Sequence, residues 1–217
     1  MKKGIALTLL SCLVFFFTKG QITKGSILLG GQISYQNNNF DYSGNQPDQK
    51  NNSAIFNISI GKAAQENNVY GLNLSYSPAN FQNYYNGITF VSSKVNQYTF
   101  GVFNRRYKLL AKDFYFFTEF GLGYTYGKQS NTDTFGAELE TIKQSTVQFY
   151  LTPGLSYKIL NKLYLEILIP DIVTIRYMVS KDETPNQSTT QKSFVFNSSL
   201  NSTGGLSFLG VGFHFIF

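Results

Sequence analysis

The stretch LGVGFHFIF, residues 209–217, alternates. Leu209, Val211, Phe213, Phe215 and Phe217 fall on one face of an extended chain, and Gly210, Gly212, His214 and Ile216 fall on the other. A helix would scatter those five apolar residues around its axis, so the stretch reads as a β-strand with one continuous apolar face.

The same period of two recurs upstream. In residues 26–36, Ile27, Leu29, Ile33 and Tyr35 share a face against Ser26, Gln32, Ser34 and Gln36. Residues 53–61 set Ala54, Phe56, Ile58 and Ile60 against Ser53, Asn57 and Ser59, and residues 69–77 set Tyr70, Leu72, Leu74 and Tyr76 against Gly71, Asn73, Ser75 and Ser77. Further segments run over 96–108, 114–126, 146–158 and 163–177, the last interrupted at Pro170 and Asp171. With the final run, the expected count is eight strands.

The connections decide what covers the apolar faces. Residues 37–52, 78–95, 127–145 and 178–205 are long and rich in Asn, Ser, Thr and Gln, and short links near 62–68, 109–113 and 159–162 fall between them. Strict alternation of long and short connections is the pattern of a transmembrane up-and-down barrel, with short periplasmic turns and long extracellular loops. A soluble sandwich shares the strand pattern but not that asymmetry. The expected fold is therefore all-β, an eight-stranded antiparallel transmembrane β-barrel.

Composition agrees. Of 217 residues, 42% are hydrophobic and 17% aromatic, but only 14% are charged, against about 25% in ordinary soluble domains. Lys2 and Lys3 precede an apolar run from Ile5 to Phe17, which is short for a spanning helix and typical of a secretory signal peptide. Residues 1–20 are expected to be this leader and residues 21–217 the barrel domain. Cys12, the sole cysteine, goes with the leader, so a mature chain cut there has no thiol. Loss of Lys2, Lys3 and Lys19 reduces the net charge from +6 to +3, too small and scattered to suggest nucleic acid.

The polar faces carry Arg105, Glu119, Lys158, Glu166 and Arg176, one by one within strands. An eight-stranded barrel is just wide enough to be filled by side chains, so these five are expected to pair as a structural charge network in the lumen. Gly101, Gly121, Gly123, Gly154, Gly210 and Gly212 on the same face make room for large neighbours. Tyr70, Tyr76, Tyr98, Tyr124, Tyr126 and Tyr157 fit an aromatic girdle on the apolar face. Pro153 within a strand predicts a bulge.

The stretches FGVFNRRY (100–107), FYFFTEFGLGY (114–124), LTPGLSYKILNKLYLEI (151–167) and GLSFLGVGFHFIF (205–217) resemble the small outer-membrane β-barrel domain family common in Bacteroidetes, whose members are similar to OmpA and OmpX barrels. The resemblance implies an outer-membrane location in a Gram-negative bacterium after secretory export. It also implies contact with membrane lipid and lipopolysaccharide, with barrel-assembly machinery and periplasmic chaperones during biogenesis. Phe213, Phe215 and Phe217 would be the assembly signal.

Chemistry is sparse. His214 is the only histidine, expected to point inward beside Gly212, and Ser207 on the same strand lies more than about 20 Å away at strand rise. No triad follows from that pair. A lone His and no mature Cys leave only loop carboxylates, Asp41, Asp48, Asp133, Glu138, Glu140, Asp182 and Glu183, so no metal site and no cofactor is expected. The expectation is a non-enzymatic integral outer-membrane protein with a packed polar lumen, in a structural or surface-interaction role. An extracellular ligand would meet its loops, above all the fourth, where Phe194, Val195 and Phe196 sit between polar runs. A narrow passive channel is the main alternative, and a lipid A-modifying barrel enzyme the other.

Overall fold

The computed structural model describes residues 22–40, 48–85, 88–169, 172–198 and 210–217. The expected leader with Cys12, as well as Asp41, Pro170, Asp171 and Ser207, lies outside the described residues. Ten strands follow one another: β1 (Ile27–Phe40), β2 (Asp48–Gln65), β3 (Asn68–Tyr85), β4 (Ile88–Ala111), β5 (Phe114–Asp133), β6 (Glu138–Lys158), β7 (Leu163–Leu168), β8 (Val173–Thr184), β9 (Gln187–Ser198) and β10 (Gly210–Ile216). Every pairing is antiparallel. Strands β1 to β7 pair in sequence, β7 also pairs β10, and β10 pairs β1, which closes a ring of eight.

Strands β8 and β9 stand outside that ring. The seventh expected segment divides into β7, which pairs the lower part of β6, and β8, which pairs its upper part. Strand β9 pairs β8, and among the described residues its other edge meets no strand. Beyond Gly31, β1 likewise pairs only β2. The ring is thus closed near the turns, and among the described residues two strand edges towards the hairpin tips have no partner strand.

The long loops expected over 37–52, 78–95, 127–145 and 178–205 are largely strand instead. β4 runs for 24 residues, and the described tips are as short as Thr134–Ala137 and Pro185–Asn186. Alternation reports a difference between two environments, and a hairpin wet on both faces has none to report. Its backbone ladder nevertheless continues through Asn, Ser and Thr. Opposite the tips, β2–β3 and β4–β5 turn through Asn67 (φ 58°) and Asp113 (φ 66°), residue types that tolerate the left-handed region.

The ring sorts side chains by parity. On β5, Tyr115, Phe117, Glu119, Gly121 and Gly123 are buried inside, while Phe114, Phe116, Phe120, Leu122 and Tyr124 are exposed. Register extends the outer face as a continuous row, Leu29–Ile60–Leu72–Val102–Leu122–Phe149–Ile175–Phe196. Higher up, Ile33, Phe56, Tyr76, Tyr98 and Tyr126 form another, with Tyr76 and Tyr98 stacked at 5.1 Å between centroids. One row further, the outward residues are Pro78, Asn96, Lys128 and Lys143, so the tyrosines mark the upper limit of the apolar band.

Pro153 makes no bulge in the β5–β6 ladder, where Thr118 faces it in unbroken register. Its carbonyl accepts from Ile169 N at 3.0 Å, so its missing N–H points to the same side, where β6 passes from β8 to β7. The ladder has a gap there, and no donor is lost.

At the tips, Lys143 on β6 and Lys181 on β8 clasp Glu183 at 2.7 and 2.6 Å. Hydrogen bonds from Lys143 and then Lys181 hold the Glu183 carboxyl down to about 2, and the same contact raises the Lys143 ammonium. A carboxyl depressed on folding adds stability that is complete above its unfolded value of about 4.3 and is lost as pH falls towards the folded value. Acidification from pH 5 to pH 2 should therefore lower amide protection along the β6–β8 joint, taken relative to the intrinsic exchange rate at each pH, and less so in high salt. Glu183→Gln should remove that pH dependence; an unchanged profile in this variant would show the clasp to be idle.

Candidate functional site

The interior converges on Arg105. This β4 side chain is 5% exposed and points to the middle of the ring. Its Nη2 lies 2.6 Å from Glu119 Oε2 on β5, and its Nε donates to the same oxygen at 2.7 Å. Its Nη1 donates to both oxygens of Glu166 on β7, at 3.1 and 2.9 Å, and to Tyr107 Oη at 3.1 Å. Tyr107 Oη donates in turn to Glu166 Oε1, and Tyr150 Oη on β6 donates to Glu119 Oε1. Asn73 Nδ2 on β3 completes that arm, 2.8 Å from Tyr150 Oη.

His214 on β10 joins from the far side of the ring. Its Nε2 lies 3.1 Å from Arg105 Nη1 and 3.4 Å from Ser59 Oγ on β2, and its Nδ1 lies 2.8 Å from Glu166 Oε2. A guanidinium has donors only, so Nε2 is the acceptor in that contact, while Nδ1 faces the Glu166 carboxylate at ion-pair distance without completing a hydrogen bond. Ring strands β2 to β7 and β10 each contribute a side chain. β1 contributes the absence of one: a Cβ on Gly30 would fall within the His214 ring directly opposite.

The same device recurs around the ring. Tyr150 faces Gly121, Phe103 faces Gly71, and Phe117 faces Gly154; in each pair a Cβ on the glycine would meet the aromatic ring. Large inward side chains lie flat because the opposing residue has no side chain.

Below Arg105 the interior is apolar. Its Cζ stands 4.7 Å from the Phe117 ring centroid, a cation–π contact. Tyr107, Tyr115, Phe117 and Tyr164 then interlock, all buried, with Leu28, Val69, Ile22 and Ile216 in the same cluster. Above Arg105 lies a cavity of about 310 Å³ lined by Asn57, Asn73, Ser75, Thr99 and Gln148, with Arg105, Glu119 and His214 at its end. The lumen is thus a polar cup over an ionic layer over an aromatic plug, rather than polar throughout.

Of the five residues expected to share a network, Arg105, Glu119 and Glu166 meet. Lys158 is half-buried at the turn end of β6. Arg176 lies further up, on β8 between Gln148 and Val195, where it has an interaction of its own. His214 points inward as expected, but its place in the network, like those of Tyr107 and Tyr150, is what sequence reasoning missed. The signal for Tyr107 and Tyr150 was present: each lies an even number of residues from Arg105 or Thr152 on an inward face, opposite Phe117 and Gly121. Phe213, Phe215 and Phe217 point outward, 50%, 44% and 57% exposed. Among the described residues no group of three or more His, Cys, Asp or Glu side chains is placed to hold a metal ion.

No protein-family model matches the chain, and neither does any curated protein sequence. Solved structures do. The translocator domain of autotransporter NalP from Neisseria meningitidis aligns with 90% of this chain at 13% identity and a TM-score of 0.44, and this chain spans 65% of it. Neisserial surface protein A (NspA) aligns with 89% at 11% identity and a TM-score of 0.42, 98% of it being covered. A major outer membrane protein from Thermus thermophilus aligns with 89% at 13% identity and a TM-score of 0.46, 99% of it being covered.

Substitutions at four positions probe the ionic layer. Arg105→Leu leaves two buried carboxylates without their cation and should cost about 3–5 kcal/mol of unfolding free energy. Adding Glu119→Gln and Glu166→Gln should recover much of it, read as the urea midpoint in detergent micelles. Gly30→Ala drives a methyl group into a ring that three neighbours hold, and a loss of about 1–3 kcal/mol should appear in the same titration.

Proposed function

We propose that the protein is an integral outer-membrane β-barrel without catalytic activity, a closed wall element whose extended hairpins are its working surface. The observation that carries this is the inverted distribution of polarity around the ring. Glu166 is 0% exposed at its centre, while Ile58 and Leu74 on the outside are 63% and 60% exposed. An apolar surface that continues from strand to strand around the ring is far larger than water-soluble monomers carry, and hydrocarbon is the solvent that accepts it. Closure into a ring also satisfies the backbone donors that an open sheet would leave bare in lipid.

Crossing a membrane takes about 9–11 residues of a tilted strand, and β4 has 24. More than half of such a strand stands clear of the bilayer, so the β2–β3, β4–β5 and β8–β9 ladders extend into a surface-exposed sheet. The Bacteroidetes-type barrel family, secretory export and a Gram-negative outer membrane belong to this proposal. So do lipopolysaccharide as a neighbour of the hairpins, an extracellular ligand at the hairpins, and assembly machinery that reads Phe213, Phe215 and Phe217.

The plug and the ionic layer argue for a wall over a channel, although the polar cup above them is the feature a narrow conduit would need. The absence of catalysis in this reading rests on His214, whose two ring nitrogens are both turned to structural partners. Membrane fractionation, with a gel-mobility shift between unheated and boiled samples, tests the barrel. The folded form should run ahead and should partition with outer membranes. Reconstituted into planar bilayers it should give no steady conductance; discrete ion currents would favour the passive channel instead.

A further inference from the structure

The outward charges are sorted by height. Around the turn end stand six exposed cations, Lys24, Lys62, Arg106, Lys108, Lys112 and Lys162, against exposed Glu66 and half-buried Asp113. From the tyrosine row upward the described residues carry six lysines and six carboxylates, and there Glu183 already holds Lys143 and Lys181. Among the described residues the excess positive charge therefore sits at one end of the ring.

These cations form a collar rather than a patch. Lys24 precedes β1, Lys62 lies on β2, Arg106 and Lys108 on β4, Lys112 in the β4–β5 turn, and Lys162 in the β6–β7 turn. Several are rooted in the apolar band. Lys62 stands in register between Ile27 and Tyr70, Lys108 faces Phe116, and the Lys162 ammonium lies 5.1 Å from the Phe217 ring centroid. An aliphatic stem along apolar surface with its charge at the rim is the arrangement by which lysine and arginine reach a bilayer's headgroup level.

We infer that this collar binds the phosphodiester headgroups of anionic glycerophospholipids in the leaflet at the turn end. The inference rests on the membrane reading given above. A soluble protein partner would touch one side of the ring, whereas a leaflet surrounds it, and the cations are spread from β1 to the β6–β7 turn. The chemistry needed is a dispersed set of point positive charges at one depth, and lysine predominates over arginine, as suits a fluid array of phosphates rather than a fixed bidentate site. Lipopolysaccharide phosphates would meet the opposite end, where the charges balance.

The full chain, refolded into phosphatidylcholine vesicles with and without a minor fraction of phosphatidylglycerol, supplies the test. Spin-labelled phosphatidylglycerol and phosphatidylcholine report which lipid is held motionally restricted at the protein surface. At low salt the phosphatidylglycerol label should be enriched several-fold over phosphatidylcholine, with the ratio collapsing in high salt. The triple substitution Lys62→Gln, Arg106→Gln and Lys162→Gln should lower it as well. Equal restriction of both labels by the unaltered protein would overturn the collar and leave the cations to a periplasmic partner, as would a ratio insensitive to salt. Insertion into phosphatidylcholine separates the two readings: a chain that inserts normally but shows no selectivity loses only the collar, and a chain that never enters vesicles loses the barrel with it.

Discussion

One guanidinium between two carboxylates organises the interior. Arg105 reaches Glu119 on the neighbouring strand and Glu166 across the ring, and no water-like medium separates them. Charges in such a place need hydrogen-bond partners, and Tyr107, Tyr150 and His214 supply them here. Those partners arrive from different strands at one level, so the layer also fixes register. Moving any of the strands by one residue would turn its contributor to the outside. The glycines opposite His214, Tyr150 and Phe117 belong to the same constraint, since rings that size need a bare backbone facing them.

Much of this was legible in the amino-acid order, and what was missed has a common cause. Segments such as 69–77 and 114–126 alternate because the outside and the inside of the ring differ, and β3 and β5 lie where that contrast placed them. The pattern fades at Tyr76 and Tyr126, and the strands continue for many residues, because Asn80, Asn96 and Ser130 satisfy either side equally well. Arg105, Glu119 and Glu166 could be anticipated from charge on an inward face. Lys158 and Arg176 share that parity and not that depth, and depth depends on the stagger between strands, which no single segment encodes. The aromatic plug was hidden for a related reason. Tyr115 and Phe117 sit on the inward face of β5 among aromatic neighbours on both faces, where alternation of polarity has nothing to show.

The two ends of the ring differ in kind. At the turn end, aromatic side chains fill the interior and basic ones encircle the exterior. At the other, neutral amides and hydroxyls line a cup, and opposite charges pair across the tips, as Glu183 does with Lys143 and Lys181. Among the described residues, strand edges without a partner on β1 and β9 lie towards the tips, where the β8–β9 hairpin leaves the ring. Rigidity and exposure are thus divided along the strand axis rather than around it.

The seam between β1 and β10 is short: Leu28 to Gly31 against Phe213 to Ile216, extended by mutual backbone hydrogen bonds between Ile27 and Phe217. Every other ring junction except those of β7 is a long ladder of near neighbours in sequence, and this one joins segments separated by nearly the whole polypeptide. Contact order of that magnitude means loop closure is its largest entropic cost and its completion comes late. The cylinder should therefore zip from β2 through β6 and latch last at Leu28 and Ile216, and the latch is also where mechanical or chemical stress would first pry it apart.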